Sequence, residues 1–207
     1  MVNTRKTEIR AHGVRVLLSR HPEVRKLKEY HIPSNHGNKF WTASWLLMDY
    51  FRRRGLLKGT RVLEVGCGWG LSGIYCAKKH GAAVTGVDID PDVFPFLHLH
   101  ADINHVKVAT MRKGFNGLRI RHLKGFDVMI GSDICFWDKM MDPLKKLIGR
   151  ALRAGVELVL IADPGRSPFL ELGKYFTDKG KGEMLDWTVH RPRRIQGQIL
   201  RITVKKR

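Results

Sequence analysis

Acidic residues are only half as numerous as basic ones in this sequence. Nineteen Asp and Glu stand against 38 Lys and Arg, which leaves a net charge of +19. Such an excess rules out a self-solvating acidic chain and creates a field that attracts polyanions. Nucleic acid is therefore one partner to weigh, beside an acidic protein or a merely solvated surface. Cysteine is sparse as well. Cys67, Cys76 and Cys135 are odd in number and unpatterned, which argues against a disulfide framework and fits a reducing cytosol. No apolar run in the sequence approaches the roughly 18 residues that a membrane helix needs. Residues 1–20 lack the apolar core of a secretory signal, and although Arg-rich they are too poor in serine for a typical mitochondrial presequence. A cytoplasmic protein without a membrane partner is the expectation. No Cys/His spacing matches a zinc site. His98 and His100 are two apart, a spacing that points in different directions on a helix, so they and His105 read as surface histidines and no metal is expected. No repeat or low-complexity linker interrupts the chain.

What remains is a globular composition, 43% hydrophobic and 28% charged over 207 residues, enough for one α/β domain. Residues 1–39 read as a basic extension with a helix near 23–30 and a loop over 33–38. Residues 40–207 read as the main domain. Thr42 stands where a helix cap would, before Ala43, Leu46, Leu47 and Tyr50 at helical spacing, with Gly55 as the stop. Strands are expected at 61–65, 83–87, 106–110, 126–130 and 157–162. Helices between them run over 71–79, from Asp90-Pro91 to about 104, and from Asp142-Pro143 to Gly155. A further helix, capped by Ser167-Pro168, ends near Gly180, and two closing strands lie near 186–190 and 198–204. Alternating strands and helices imply a doubly wound, Rossmann-like sheet that is mostly parallel. The last two strands, joined without a long helix, imply an antiparallel edge.

The chemistry concentrates in Glu64-Val-Gly66-Cys67-Gly68-Trp-Gly70, which follows a strand and opens a helix. Glycines there allow a tight turn and close approach of a ligand to the backbone, and ligands of open α/β sheets bind at the carboxyl ends of the strands. The spacing G-x-G-x-G leaves Leu71 where a dinucleotide loop has its last glycine. The acid before the first glycine suits a ligand carrying a cationic amino group better than a pyrophosphate. S-adenosylmethionine is such a ligand. Asp88 ends the next strand, where a carboxylate accepts ribose hydroxyls; it supports a nucleoside in general. Asp90, just before Pro91, is better explained as a helix cap.

Together, Glu64-x-Gly66-x-Gly68-x-Gly70, Val84-Thr-Gly-Val-Asp88 and Ser132-Asp133-Ile-Cys-Phe136 resemble the class I, seven-β-strand methyltransferases. The segment Ile161-Ala-Asp163-Pro-Gly-Arg166 is similar to the family 16 lysine methyltransferases, nearest the group that modifies the electron-transfer flavoprotein β subunit. Asp133 and Phe136 match that group's Asp-x-x-Tyr/Phe motif, and Trp41 matches its tryptophan ahead of the cofactor domain. The resemblance spans about residues 40–207. It implies a seven-stranded sheet, S-adenosylmethionine as cofactor, and a protein lysine as acceptor. It implies cofactor contacts from Trp41, Glu64, Gly66, Cys67, Gly68, Gly70, Asp88, Ile89, Ser132 and Asp133. It further implies catalysis involving Asp133 and Phe136, and an acceptor channel shaped by Trp137, Asp163 and Arg166. Position 136 brings no hydroxyl, and residues 110–116 lack the acid that many relatives turn toward adenine.

In the residues' own terms, Phe136 and Trp137 would offer aromatic faces to a lysine ammonium, and Asp133 would orient it. Each has a plainer reading: Asp133 as a loop or cap acid, Trp137 as core, and Asp163 with Arg166 as a structural Asp-Pro-Gly turn. RNA methylation is the competing function, supported by +19 and by the basic runs 52–54, 119–124 and 191–194, but Ser132-Asp-Ile-Cys has no proline of the kind base-nitrogen methylases carry. A non-catalytic binding module is the third.

Overall fold

The computed structural model describes residues 6–34 and 36–204. The first five residues of the Arg-rich N-terminal stretch lie outside the described residues. Strands β3 (Arg61–Val65), β4 (Ala83–Asp88), β5 (Ala109–Arg112), β6 (Val128–Ser132), β7 (Leu158–Asp163), β8 (Gly182–Val189) and β9 (Ile195–Thr203) form one sheet in the order β5-β4-β3-β6-β7-β9-β8. β3 to β7 are parallel; β9 pairs antiparallel with both β7 and β8. The doubly wound sheet is thus as expected, with one refinement. The antiparallel strand is one place in from the edge, and β8 outside it runs the same way as β7.

Helices cover both faces. α2 (Ser44–Arg54), α3 (Leu71–His80) and α4 (Phe94–Ile103) pack on one; α5 (Ile120–Leu123), α6 (Met141–Arg153) and α7 (Ser167–Thr177) on the other. α6 shows why such a helix forms: Leu144, Leu147, Ile148 and Ala151 recur on one face and are all fully buried. Burying each of the three larger side chains is worth roughly 1.5–3 kcal/mol. β6 and β7, covered from both sides, are apolar along nearly their whole length.

Several expectations change. Thr42 is not a helix cap: Ala43 occupies that position and no side chain caps α2. Ser167 is the first residue of α7, with Arg166 before it and no side-chain cap. Asp90 does cap, accepting the Asp92 backbone N–H at 3.0 Å ahead of a short 3-10 turn, Pro91–Val93. The third, fourth and last strands start two or three residues away from where the patterns placed them. The basic extension contains an unexpected hairpin, β1 (Glu8–Ala11) with β2 (Val14–Leu17), followed by α1 (Pro22–Tyr30). His100 is not a surface residue. The hairpin covers it, its Nε2 accepts the Leu17 N–H at 3.1 Å, and it is fully buried.

Candidate functional site

The glycine loop emerges from the tip of β3 into α3. Gly66, Gly68 and Gly70 all have positive φ, at 60°, 49° and 69°. A Cβ on Gly70 would also lie 2.7 Å from Leu97, so both backbone and space require glycine there. Beside the loop a cavity of about 370 Å³ opens across the tips of β4, β3 and β6, a volume in the range of small-ligand sites. Its wall includes Gly66, Cys67, Gly68, Gly70, Asp88 and Ile89 on one side. Ser132, Asp133, Phe136 and Trp137 stand on the other, and Trp41 belongs to its roof. Most of the sequence-derived site residues therefore converge.

Three do not line the cavity. Glu64 is buried beneath the loop, where its carboxylate accepts the Gly73 N–H of α3 at 3.0 Å. Burial pushes its pKa up to about 8 against the partial relief from Gly73 and Ser72. The acid expected to meet a ligand's amine instead fastens the first turn of α3. Asp163 and Arg166 stand behind Asp133. Asp163 accepts the backbone N–H of Gly165 and Arg166 at 3.0 and 2.8 Å, and the Arg166 guanidinium bridges Asp163 at 2.7 Å and Asp133 at 2.9 Å. Burial raises both carboxyls, and one guanidinium serves the two. Burial alone would lower Arg166, yet the two carboxylates outweigh it and keep it firmly charged.

Asp133 has φ 55°, a left-handed backbone unusual outside glycine. Its remaining oxygen, Oδ2, accepts the Ala43 N–H at 2.7 Å. Both carboxylate oxygens are thus occupied, and the residue pins the start of α2 to the tip of β6. Asp88 is oriented by the N–H groups of Gly68 and Asp90, both at 3.1 Å, and burial raises its carboxyl.

Apart from Trp41, the roof carries no sequence signal. Ser34 donates from its backbone to Asp90 at 2.5 Å. The Trp69 indole donates to the Gly37 carbonyl at 3.0 Å, and the Trp41 indole to the His36 carbonyl at 2.9 Å. The segment thereby crosses from the tip of β4, over the glycine loop, to Asp133. His36 and Lys39 in that segment, Lys113 and Phe115 after β5, and Lys139 after β6 also line the cavity and were not anticipated. Trp69, which also lines the cavity, sits inside the glycine loop and so within a readable motif. Among the described residues no cluster of His, Cys, Asp or Glu could hold a metal ion.

A family model described as lysine methyltransferase matches residues 21–168. The chain belongs to this lysine methyltransferase family. Its electron-transfer flavoprotein β-subunit lysine methyltransferase relative in Xenopus laevis is 26% identical over 142 residues, 65% of this chain and 56% of the relative. The histidine protein methyltransferase 1 homolog of Dictyostelium discoideum is 32% identical over 125 residues, 57% of this chain and 40% of that protein. The chain spans about half the length, or less, of these curated relatives. Among solved structures, the human methyltransferase 10 domain containing protein superposes with a TM-score of 0.60 at 12% identity, covering 86% of this chain and 93% of that one. The precorrin 8w decarboxylase of Methanobacterium thermoautotrophicum gives 0.59 at 12%, covering 80% and 92%. The fold is that of the class I methyltransferases, and the family is one of protein-modifying methyltransferases. No helix among the described residues is long and apolar enough to cross a membrane.

Proposed function

We propose that this family member is an S-adenosylmethionine-dependent methyltransferase whose acceptor is a lysine amine of a protein. The observation that carries the reading is the cavity at the tips of β3, β4 and β6, walled by a three-glycine turn and by Asp88, in a chain of the lysine methyltransferase family. The donor set fits the cofactor. Asp88 faces the cavity with a carboxylate able to accept hydroxyl donors. Ile89 and Phe115 offer apolar walls for a planar base. Gly66–Gly70, with Cys67, let the backbone approach closely, and Ser132 and Trp41 close the far end. Bound there, S-adenosylmethionine supplies a methyl group already activated on a sulfonium.

The chain's own task is positioning and exclusion of water. Asp133, through Ala43, holds the roof against β6, and through Arg166 it fixes the Phe136 ring, over which the guanidinium lies 4.2 Å away. Phe136 and Trp137 then border the passage by which the amine reaches the methyl group. Losing the Asp88 carboxylate removes charge-assisted hydrogen bonds, so Asp88→Ala should weaken S-adenosylmethionine binding by about tenfold or more in calorimetry. Asp133→Asn should keep that binding and lose transfer. Tritiated cofactor incubated with enzyme and a cell lysate, with and without ribonuclease, identifies the acceptor. Label recovered as methyllysine supports the reading; methylhistidine, or label removed by ribonuclease, overturns the lysine acceptor.

A further inference from the structure

The mouth of the cavity is cationic, and few carboxylates offset it. Lys39, Lys113 and Lys139 line it. Only two of the residues lining it are acids. Asp133 is bonded to Ala43 and Arg166, and Asp88 to Gly68 and Asp90. The aromatic faces are occupied in the same way. The Lys39 ammonium lies 4.1 Å from the Trp41 ring centre, Lys139 lies 5.5 Å from that of Trp137, and the Arg166 guanidinium covers Phe136. The faces expected to receive a substrate ammonium therefore carry this chain's own cations. His36 stacks on Phe136 and Trp137, at 4.6 and 5.3 Å, and occupies further ring surface.

A lysine presented on a neutral or basic surface would meet repulsion from these cations and from a molecule of net charge +19. We infer that the acceptor lysine lies in an acidic segment, whose flanking carboxylates pair with Lys39, Lys139 and Lys113 at the cavity mouth. This rests on the lysine-transfer reading above and adds the chemistry of the substrate around the acceptor. The arrangement has a second benefit. Cations around an entering amine favour its neutral form, the only one with a lone pair to attack a methyl group. Lys39 and Lys139 are exposed, so they can reach a partner's side chains without refolding.

Fluorescence polarisation on the intact chain tests this without requiring turnover. The probe is a labelled peptide with one lysine flanked on both sides by glutamates, against the same peptide with glutamines. The acidic peptide should bind about tenfold tighter at low salt, the effect of a few exposed charge pairs. Lys39→Glu/Lys139→Glu should abolish the preference. Lys107→Glu/Lys124→Glu makes the same charge change at the opposite ends of the parallel strands and should leave it intact. Equal binding of the two peptides would overturn the inference. So would a preference that survives Lys39→Glu/Lys139→Glu, or an oligouridine of equal charge that binds the same lysines more tightly than the peptide. Failure to bind S-adenosylmethionine, measured separately, would instead sink the transfer reading and leave the charge preference standing.

Discussion

Glu64 is a carboxyl group that the fold withdraws from water, and its cost is readable in solution. Its pKa rises from 4.5 to about 8, because burial disfavours the charged form more than Gly73 and Ser72 favour it. The native state thus holds a proton that the unfolded chain releases above its own, lower pKa. The associated stability is fully present below pH 4.5 and is lost as pH climbs toward 8, an effect of at most a few kcal/mol. Glu64→Gln retains an oxygen for the Gly73 N–H and removes the titration. Denaturation midpoints of the variant should vary less between pH 5 and 8 than those of the parent; equal slopes would show that Glu64 is not the titrating group. The acid ahead of the first glycine was legible as a motif, but its direction was not. Residues in a strand alternate between faces, and only the packing of α3 decides that this one meets a helix terminus instead of the cavity. Asp88 was legible in both respects, since a strand's last residue at the ligand edge has little else to face.

Among the elements, the β1–β2 hairpin and the roof were the least readable. The hairpin strands are four residues each, with Glu8, Arg10 and Arg15 among the apolar positions, too short for alternation to stand out. Tertiary contacts hold it instead. Asn104 accepts the Arg15 N–H at 2.8 Å and donates to the carbonyls of Arg15 and His100, both at 2.8 Å, while the hairpin covers the stack of Trp69 on Phe96 and His100. Asn104→Ala leaves those backbone groups unpaired and should cost about 2–3 kcal/mol. Hydrogen exchange would show the loss concentrated in residues 9–17, with the β3–β6 amides still protected; a uniform loss would mean that the hairpin unfolds only with the whole domain. The long elements fared better. α3 and α6 carry clear periodicity and end in glycine or beside it, Gly81 and Gly155, so their extents were within a residue or two of expectation.

For the molecule as a whole, alternating strands and helices sufficed for the architecture, because a crossover between parallel strands has essentially one hand and one layering. Charge was less informative. The run at 52–54 has the look of a nucleic-acid contact, yet Arg52 and Arg53 both pair with the buried Asp49, at 2.7 and 2.6 Å, and Arg53 lies over Trp187. Part of the excess that looks like a binding face is tied into ion pairs with one buried carboxylate.

The roof has one more implication. It is anchored at Asp90, at the glycine loop through Trp69, and at Asp133, so it spans the cavity like a bridge tied at three points. Ile89 is 62% exposed at one flank and Trp137 37% at the other. Cofactor and acceptor approaching these two exposed flanks would occupy the cavity together. Initial-rate plots at varied concentrations of both should therefore give intersecting lines, as direct transfer within a ternary complex requires, whereas parallel lines would mean that the methyl group passes to the enzyme and the spent cofactor leaves before the acceptor binds.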